Sequence, residues 1–312
     1  MGTYPLLGYV PIFFHAMMRA MRQPVLTYII AMLMLSTLGV YVQEAGLDPV
    51  TTVFFRCAIG AVALALYCGW KGMFKRTNMP PRAFRLAAFS GVLMVVNWVT
   101  FFEAIRRIGI AVATIVFHVQ PFMVLLLGAL ILRERLAANK LAWVVAGFGG
   151  LALACGVRFD EPMDANYLLG IASTLTGALA YAGVTLTTKS MRGTPPHLTA
   201  LVHCIAGALL LGAFSTIPPG GLSAAQWGWL ATLGLVPTAM AYVMIYGATP
   251  RMETAAIAVL TFIYPAAAVG WDYVVYGHLI SGWQVAGFAL IVLASLGVNL
   301  DWRLTVERLY NR

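Results

Sequence analysis

The stretch NWVTFFEAIRRIGIAVATIVFHVQP, residues 97–121, has a counterpart 144 residues further on, AYVMIYGATPRMETAAIAVLTFIYP, residues 241–265. In that register Trp98 meets Tyr242, Phe102 meets Tyr246, Ala104 meets Ala248, Arg107 meets Arg251 and Pro121 meets Pro265. A shift of 147 sets Arg56-Cys57-x-x-Gly60-Ala61 on His203-Cys204-x-x-Gly207-Ala208. A shift of 140 sets Val-Ala-Gly-Phe at 145–148 on the same four residues at 285–288, so the first half carries about four extra residues after Leu132. Apolar helices resemble one another by chance, and any one match is weak. Ordered matches along both halves, with an aligned proline, mark an internal repeat.

Around this repeat the chain is apolar throughout. Of its 312 residues 61% are hydrophobic and 10% charged, with a mean hydropathy of +0.85. A soluble domain carries about 25% charged residues, so too little polar surface is present to cover a water-soluble globule. The apolar residues fall in blocks of about 20, the length that crosses a hydrocarbon core of roughly 30 Å. Pro, Gly and charge punctuation divides them into ten spans: 24–44, 49–70, 83–104, 109–132, 139–157, 167–189, 195–216, 224–248, 253–275 and 281–300. Residues 158–166, RFDEPMDAN, are the most polar link and mark the midpoint. Two halves follow, 24–157 and 167–300, flanked by an N-terminal segment 1–23 and a tail 301–312. Five is odd, so the second half starts on the opposite side of the membrane. The expected fold is an all-α integral membrane protein, ten transmembrane helices arranged as a 5+5 inverted repeat, with a solute site near the midplane between the halves.

The net charge of +9 does not point to nucleic acid, because the basic residues sit in short loops between apolar blocks. With the N-terminus in the cytoplasm, sixteen Lys and Arg fall on inside segments, against Arg106, Arg107 and Arg158 outside. That bias predicts cytoplasmic termini at both ends, in a multi-pass protein of the bacterial inner membrane. At the N-terminus, Phe14, Met17, Met18 and Met21 fall at helical spacing, with His15, Arg19 and Arg22 on another face. They read as an amphipathic helix on the cytoplasmic leaflet, or as a leader without structure. Cys57, Cys68, Cys155 and Cys204 lie inside apolar blocks without metal-ligand spacing, and read as small buried hydrophobes. No metal or cofactor is expected.

The sequence resembles the drug/metabolite transporter superfamily, specifically its ten-span EamA type. The resemblance is carried by Phe102-Glu103-Ala104, by Val116-Phe117-His118-Val119-Gln120-Pro121, by Leu132-Arg133-Glu134-Arg135-Leu136 and by the glycine-rich fifth span. Ala104, Pro121 and Glu134 stand where the family places an alanine, a proline and a glutamate. Ala248 and Pro265 do so in the second half, whereas His278 replaces the usual glutamate. Within the group the chain is similar to the YddG-type exporters of aromatic and other amino acids. The resemblance implies a carrier of small metabolites.

Ionisable residues inside spans cost about 2.5–3.5 kcal/mol on insertion scales and are functional candidates. Arg56, His118, His203 and Asp272 qualify. Arg56 and Asp272 lie in the same half of the membrane, where a contact between them forms a structural pair or an outer gate; snorkelling to the interface is the plainer reading of each. His118, one turn before Pro121, can bind a solute carboxylate, change protonation or simply pack. Trp98 and Phe102, and likewise Tyr242 and Tyr246, are four residues apart and share a helix face. The repeat sets these faces on opposite sides of a cavity. Asn97, Tyr181 and Tyr264 add an amide and two hydroxyls. Such walls suit amphipathic solutes, and aromatic faces also attract cations; lipid-facing packing is the alternative. Pro121 and Pro265 each deprive a carbonyl one turn earlier, at Phe117 and Thr261, of its helical partner and permit bending. They form a candidate hinge.

The expected function is therefore a carrier of amphipathic metabolites working by alternating access: export of amino acids, aromatic ones included, and of cationic xenobiotics. Its partners are small solutes and membrane lipids, not nucleic acid, and one chain suffices as a monomer. An intramembrane enzyme needs paired acids, a Ser/His dyad or metal spacing within the spans. No paired acids stand within the spans, and His118 and His203 lie in different halves, so no catalytic residue is assigned. A receptor or scaffold is the remaining alternative.

Overall fold

The computed structural model describes residues 23–75, 77–133, 138–155, 164–217, 220–277, 282–300 and 302. The expected interfacial helix over 1–23, most of the 158–166 link, Glu134, His278 and the tail after 302 lie outside the described residues, as do the side chains of Phe102 and Asp272. The described residues are helices joined by short turns. Seven stretches among them are long and apolar enough to cross a membrane, and three shorter apolar helices fall inside the remaining three expected spans.

The helices are α1 (Pro24–Ser36), α2 (Leu38–Ala45), α3 (Pro49–Trp70), α4 (Pro81–Phe117), α5 (Gln120–Leu132), α6 (Ala138–Cys155), α7 (Ala165–Lys189), α8 (Pro196–Leu211), α9 (Ala224–Leu233), α10 (Ala241–Ala248), α11 (Thr254–Leu260), α12 (Ile263–Tyr276) and α13 (Gly282–Asn299). Several begin on proline, whose missing N–H costs nothing in a first turn. Asp48 caps α3 by accepting the Thr51 N–H at 3.0 Å, and Asp164 caps α7 through the Tyr167 N–H at 2.7 Å. Ser223 and Gln226 close a reciprocal capping box on α9. Outward faces are apolar: Leu209 is 77% exposed and Leu66 71%. Buried positions include Arg56, Asn97 and His118. Apolar outside and polar inside is the arrangement a lipid solvent favours.

Four expected spans differ in detail. The link expected between 104 and 109 keeps helical hydrogen bonding, so α4 runs unbroken for 37 residues. It is nevertheless not a straight rod. Phe101 and Phe117 are 16 positions apart, about 24 Å on a straight helix, yet their ring centroids lie 4.8 Å apart. The chain folds back between them, so α4 holds the third span and the start of the fourth. The fourth and ninth spans, expected to be continuous, are each broken in the middle. The fourth breaks at His118-Val119 and the ninth at Thr261-Phe262. Both breaks come just ahead of the repeat prolines, Pro121 and Pro265. Tight turns take up the freed groups: the Val119 N–H bonds to Val116 O at 3.1 Å, and the Tyr264 N–H to Thr261 O at 3.3 Å. The Thr261 carbonyl is thus partnered, contrary to expectation.

The eighth span is also irregular. Between α9 and α10 lies a π-helical segment, Gly234–Met240, with Pro237 inside it. Pro237 has no N–H to offer the carbonyl of Leu233. In the π-helical register that carbonyl faces the N–H of Thr238, five residues on, and the Thr238 hydroxyl donates to it as well, at 2.7 Å.

Helix packing repeats across a pseudo-two-fold axis. The equivalent spans two and seven (α3, α8) pack together, as do four and nine (α5, α11) and five and ten (α6, α13). The third span packs on the sixth (α4, α7), and its equivalent, the eighth on the first (α10, α1), does likewise. The Cys-x-x-Gly repeat lies at one of these crossings. A Cβ on Gly207 would stand 2.6 Å from Cys57 Sγ, and one on Gly60 would stand 3.2 Å from Cys204 Sγ. Each thiol thus sits on the glycine of the other half, which lets α3 and α8 approach closely.

Candidate solute-binding cavity

A cavity of about 80 Å³ lies where the two broken spans meet α1, α3, α4, α7 and α10. Each break delivers side chains to it, Phe117 and His118 from the first half and Thr261 and Tyr264 from the second. From α4 come Asn97, Trp98 and Phe101, from α7 Tyr181, from α10 Tyr242 and from α3 Arg56. Met32, Leu35 and Leu38 complete the apolar wall.

The pair expected to meet across the repeat does so: the rings of Trp98 and Tyr242 are 6.3 Å apart at 68°. His118 stacks on Tyr264 at 6.3 Å and 18°, while Phe117 lies 6.2 Å from Tyr181. Asn97 is turned away in part, donating its amide N–H to Gly177 O at 3.0 Å. The Thr261 hydroxyl is 3.1 Å from that of Tyr28 and 2.8 Å from Ile257 O.

Arg56 is 1% exposed and is the one Arg, Lys, Asp or Glu among the described lining residues. Its Nε donates to Thr238 Oγ1 at 3.1 Å, so the hydroxyl that bonds to Leu233 O also fixes the guanidinium. The guanidinium carbon lies 4.8 Å from the ring centroid of Trp98 and 6.0 Å from that of Tyr242. Its Nη2 has no hydrogen-bond partner. Arg56 therefore does not snorkel. Among the described residues it forms no ion pair, and the expected Asp272 contact falls on a side chain outside that set.

His203 and Tyr246 are absent from the described cavity lining. His203 is held through Nε2 by Ser90 Oγ at 2.8 Å and through Nδ1 by Tyr246 OH at 2.6 Å. Both its ring nitrogens are thus partnered, unlike Nη2 of its repeat partner Arg56. Tyr246 sits behind Tyr242, ring to ring at 5.5 Å. Pro121 and Pro265 lie just beyond the breaks they cause. The sequence did not single out Phe101, Phe117, Thr261, Met32, Leu35 or Leu38 for the wall. The first three had a usable signal: Phe117 and Thr261 are repeat equivalents one turn before the prolines, and Phe101 neighbours Phe102.

At the Lys189 end, the Arg192 Nε–H bonds to Pro250 O at 2.7 Å, Lys140 meets Glu253 and Lys189 meets Thr254. At the other end Trp271 Nε1 donates to Ser36 Oγ at 3.0 Å, and Tyr276 OH to Glu44 at 3.1 Å. Polar ties thus bridge the helices at both ends.

The sequence profile of the EamA-like transporter family matches residues 23–156 and again 168–300. The chain belongs to the EamA-like transporter family. It is 26% identical over 273 residues to the uncharacterised transporter YxxF of Bacillus subtilis, covering 86% of each chain. To the pseudopaline exporter CntI of Pseudomonas aeruginosa it is 25% identical over 288 residues, 89% of this chain and 96% of that one. A solved crystal structure at 20% identity superposes with a TM-score of 0.78, over 89% of this chain and 98% of that one; it shares the fold. This EamA protein is a multi-pass membrane transporter, and the family places it among carriers, not enzymes.

Proposed function

We propose that this EamA transporter moves small amphipathic metabolites outward across the bacterial inner membrane, amino acids with aromatic or other apolar side chains foremost. It does so by alternating access around the aromatic cavity. The observation that carries this reading is the pair of matched helix breaks, His118-Val119 and Thr261-Phe262. Discontinuous helices that meet near the midplane are where inverted-repeat carriers build their solute sites. A cavity of about 80 Å³ is far below the roughly 300–1,000 Å³ of a typical ligand pocket. Loading an amino acid requires the walls to part, and the breaks are the places where they can bend. The two halves, 24–157 and 167–300, are the bodies that rock, and ten crossings with both termini cytoplasmic follow from the Lys and Arg placement. One chain suffices. The name of the Pseudomonas relative supports the outward direction. Cationic xenobiotics are the disfavoured part of the expectation, since Arg56 stands in the wall.

Counterflow of labelled phenylalanine, methionine and threonine into proteoliposomes tests this reading. Uptake that rises with internal unlabelled amino acid supports it. Absence of counterflow for every amino acid in a folded sample overturns the substrate class, and terminal tags accessible from the periplasm overturn the topology.

A further inference from the structure

We propose that Arg56 is the anion-binding residue of this transporter, so that its solutes bear a single carboxylate beside an apolar or aromatic body. This rests on the cavity being the solute path. A guanidinium keeps its charge at any physiological pH and offers N–H donors in a rigid fork that suits a planar carboxylate. Here one edge of the fork is fixed by Thr238, one face lies against Trp98, and Nη2 lacks a hydrogen-bond partner although Arg56 lines the cavity. A buried polar group without a partner is unfavourable, and a carboxylate oxygen satisfies it. One cation with no second among the described lining residues balances a monoanion. A phosphate dianion would bring an uncompensated charge into the same space. The rest of the wall, Phe101, Phe117, Tyr181 and Tyr264, receives an apolar body. An amine without a carboxylate meets like charge from Arg56 and no acid in the described wall.

The test uses three probes of one shape: phenylalanine, 3-phenylpropionate and phenethylamine. Each is added to purified full-length protein in detergent, where the rise in thermal midpoint reports affinity. Each also competes with labelled phenylalanine in proteoliposome counterflow. The expected result is that 3-phenylpropionate stabilises the protein and phenethylamine is at least tenfold weaker. Arg56→Gln should weaken 3-phenylpropionate at least tenfold, with partial recovery in Arg56→Lys. If Arg56→Gln does not fold, the comparison of acid with amine on the unaltered protein still decides. Equal binding of acid and amine, binding of neither, or unchanged acid binding in a folded Arg56→Gln protein overturns the proposal. Carboxylate-selective, Arg56-dependent binding without phenylalanine counterflow supports the anion site and removes the amino-acid reading. Counterflow that ignores both 3-phenylpropionate and Arg56→Gln does the reverse.

Discussion

The guanidinium carbon of Arg56 stands 4.8 Å from the centroid of the Trp98 ring. This contact joins the second span to the third and gives a buried charge an aromatic face in place of water. A desolvated cation–π contact contributes about 2 kcal/mol, and replacing a core Trp by Ala costs about 3–5 kcal/mol. Trp98→Ala should therefore lower the thermal midpoint in detergent strongly, while Trp98→Phe, which keeps a ring, should recover at least half of the loss. Equal midpoints for the two variants would remove the aromatic contribution.

Thr238 has two tasks, as donor to Leu233 O and acceptor from Arg56 Nε. Thr238→Val keeps the shape and removes both hydroxyl bonds; the Leu233 carbonyl keeps its π-helical N–H, while Arg56 Nε loses this acceptor, at about 1–3 kcal/mol. Thr238→Ser should behave as wild type. Equal stability of Thr238→Val and Thr238→Ser in a denaturation assay would remove the role of the hydroxyl.

At the crossing of α3 and α8, a Cβ on Gly207 would lie 2.6 Å from Cys57 Sγ. Gly207→Ala should cost about 1–3 kcal/mol as overpacking. Cys57→Ala in the same chain should recover part of it, giving a coupling that a double-mutant cycle resolves. Additive losses would place the strain elsewhere.

Pro265→Ala supplies an N–H to the ninth span where the break now lies. Thr261 and Tyr264 should move as the helix straightens, and counterflow should fall about fivefold or more while the protein stays folded, because kinks of this kind depend on the proline. An unchanged rate would exclude Pro265 as a hinge. The same reasoning applies to Pro121.

Asp48, outside the spans, carries a carboxyl held below its ordinary value. Partial burial pushes it up, but hydrogen bonds from Thr51, Thr216 and the Val50 backbone outweigh this. With the folded value depressed, its contribution to stability is present above the unfolded carboxylate pKa of about 3.9 and is lost as pH falls through the folded value. Asp48→Asn should lower stability at neutral pH, with the gap to wild type closing below about pH 4. A gap constant down to the acid limb would refute the assignment.

Much of this was legible in the sequence. Apolar block length located the helices, and the aligned prolines marked where the fourth and ninth spans are irregular, although a bend within a continuous helix was expected there and the helix is broken. The pairing of Trp98 with Tyr242 also followed from the register. What escaped has physical reasons. The reversal between the third and fourth spans was expected at 104–109, where Glu103, Arg106 and Arg107 cluster; that helical hydrogen bonding persists through it has no counterpart in the sequence pattern. Met32, Leu35 and Leu38 are apolar, and in a membrane protein an apolar residue suits the cavity wall and the lipid face equally. Arg56 and His203 are repeat equivalents, yet their surroundings have diverged. Ser90 and Tyr246 occupy both nitrogens of His203, while Nη2 of Arg56 has no such partner. A repeat register identifies positions, not the neighbours that decide their chemistry.

The exchange of thiol and glycine between the two halves makes the protein its own chemical clock. Cys57 and Cys204 are free and buried, each covered by the opposing helix. A membrane-permeant maleimide reaches them only when α3 and α8 separate. In a chain with Cys68 and Cys155 replaced, labelling at these two sulfurs would report, without any introduced probe, the separation of α3 and α8 that the proposed alternating access requires.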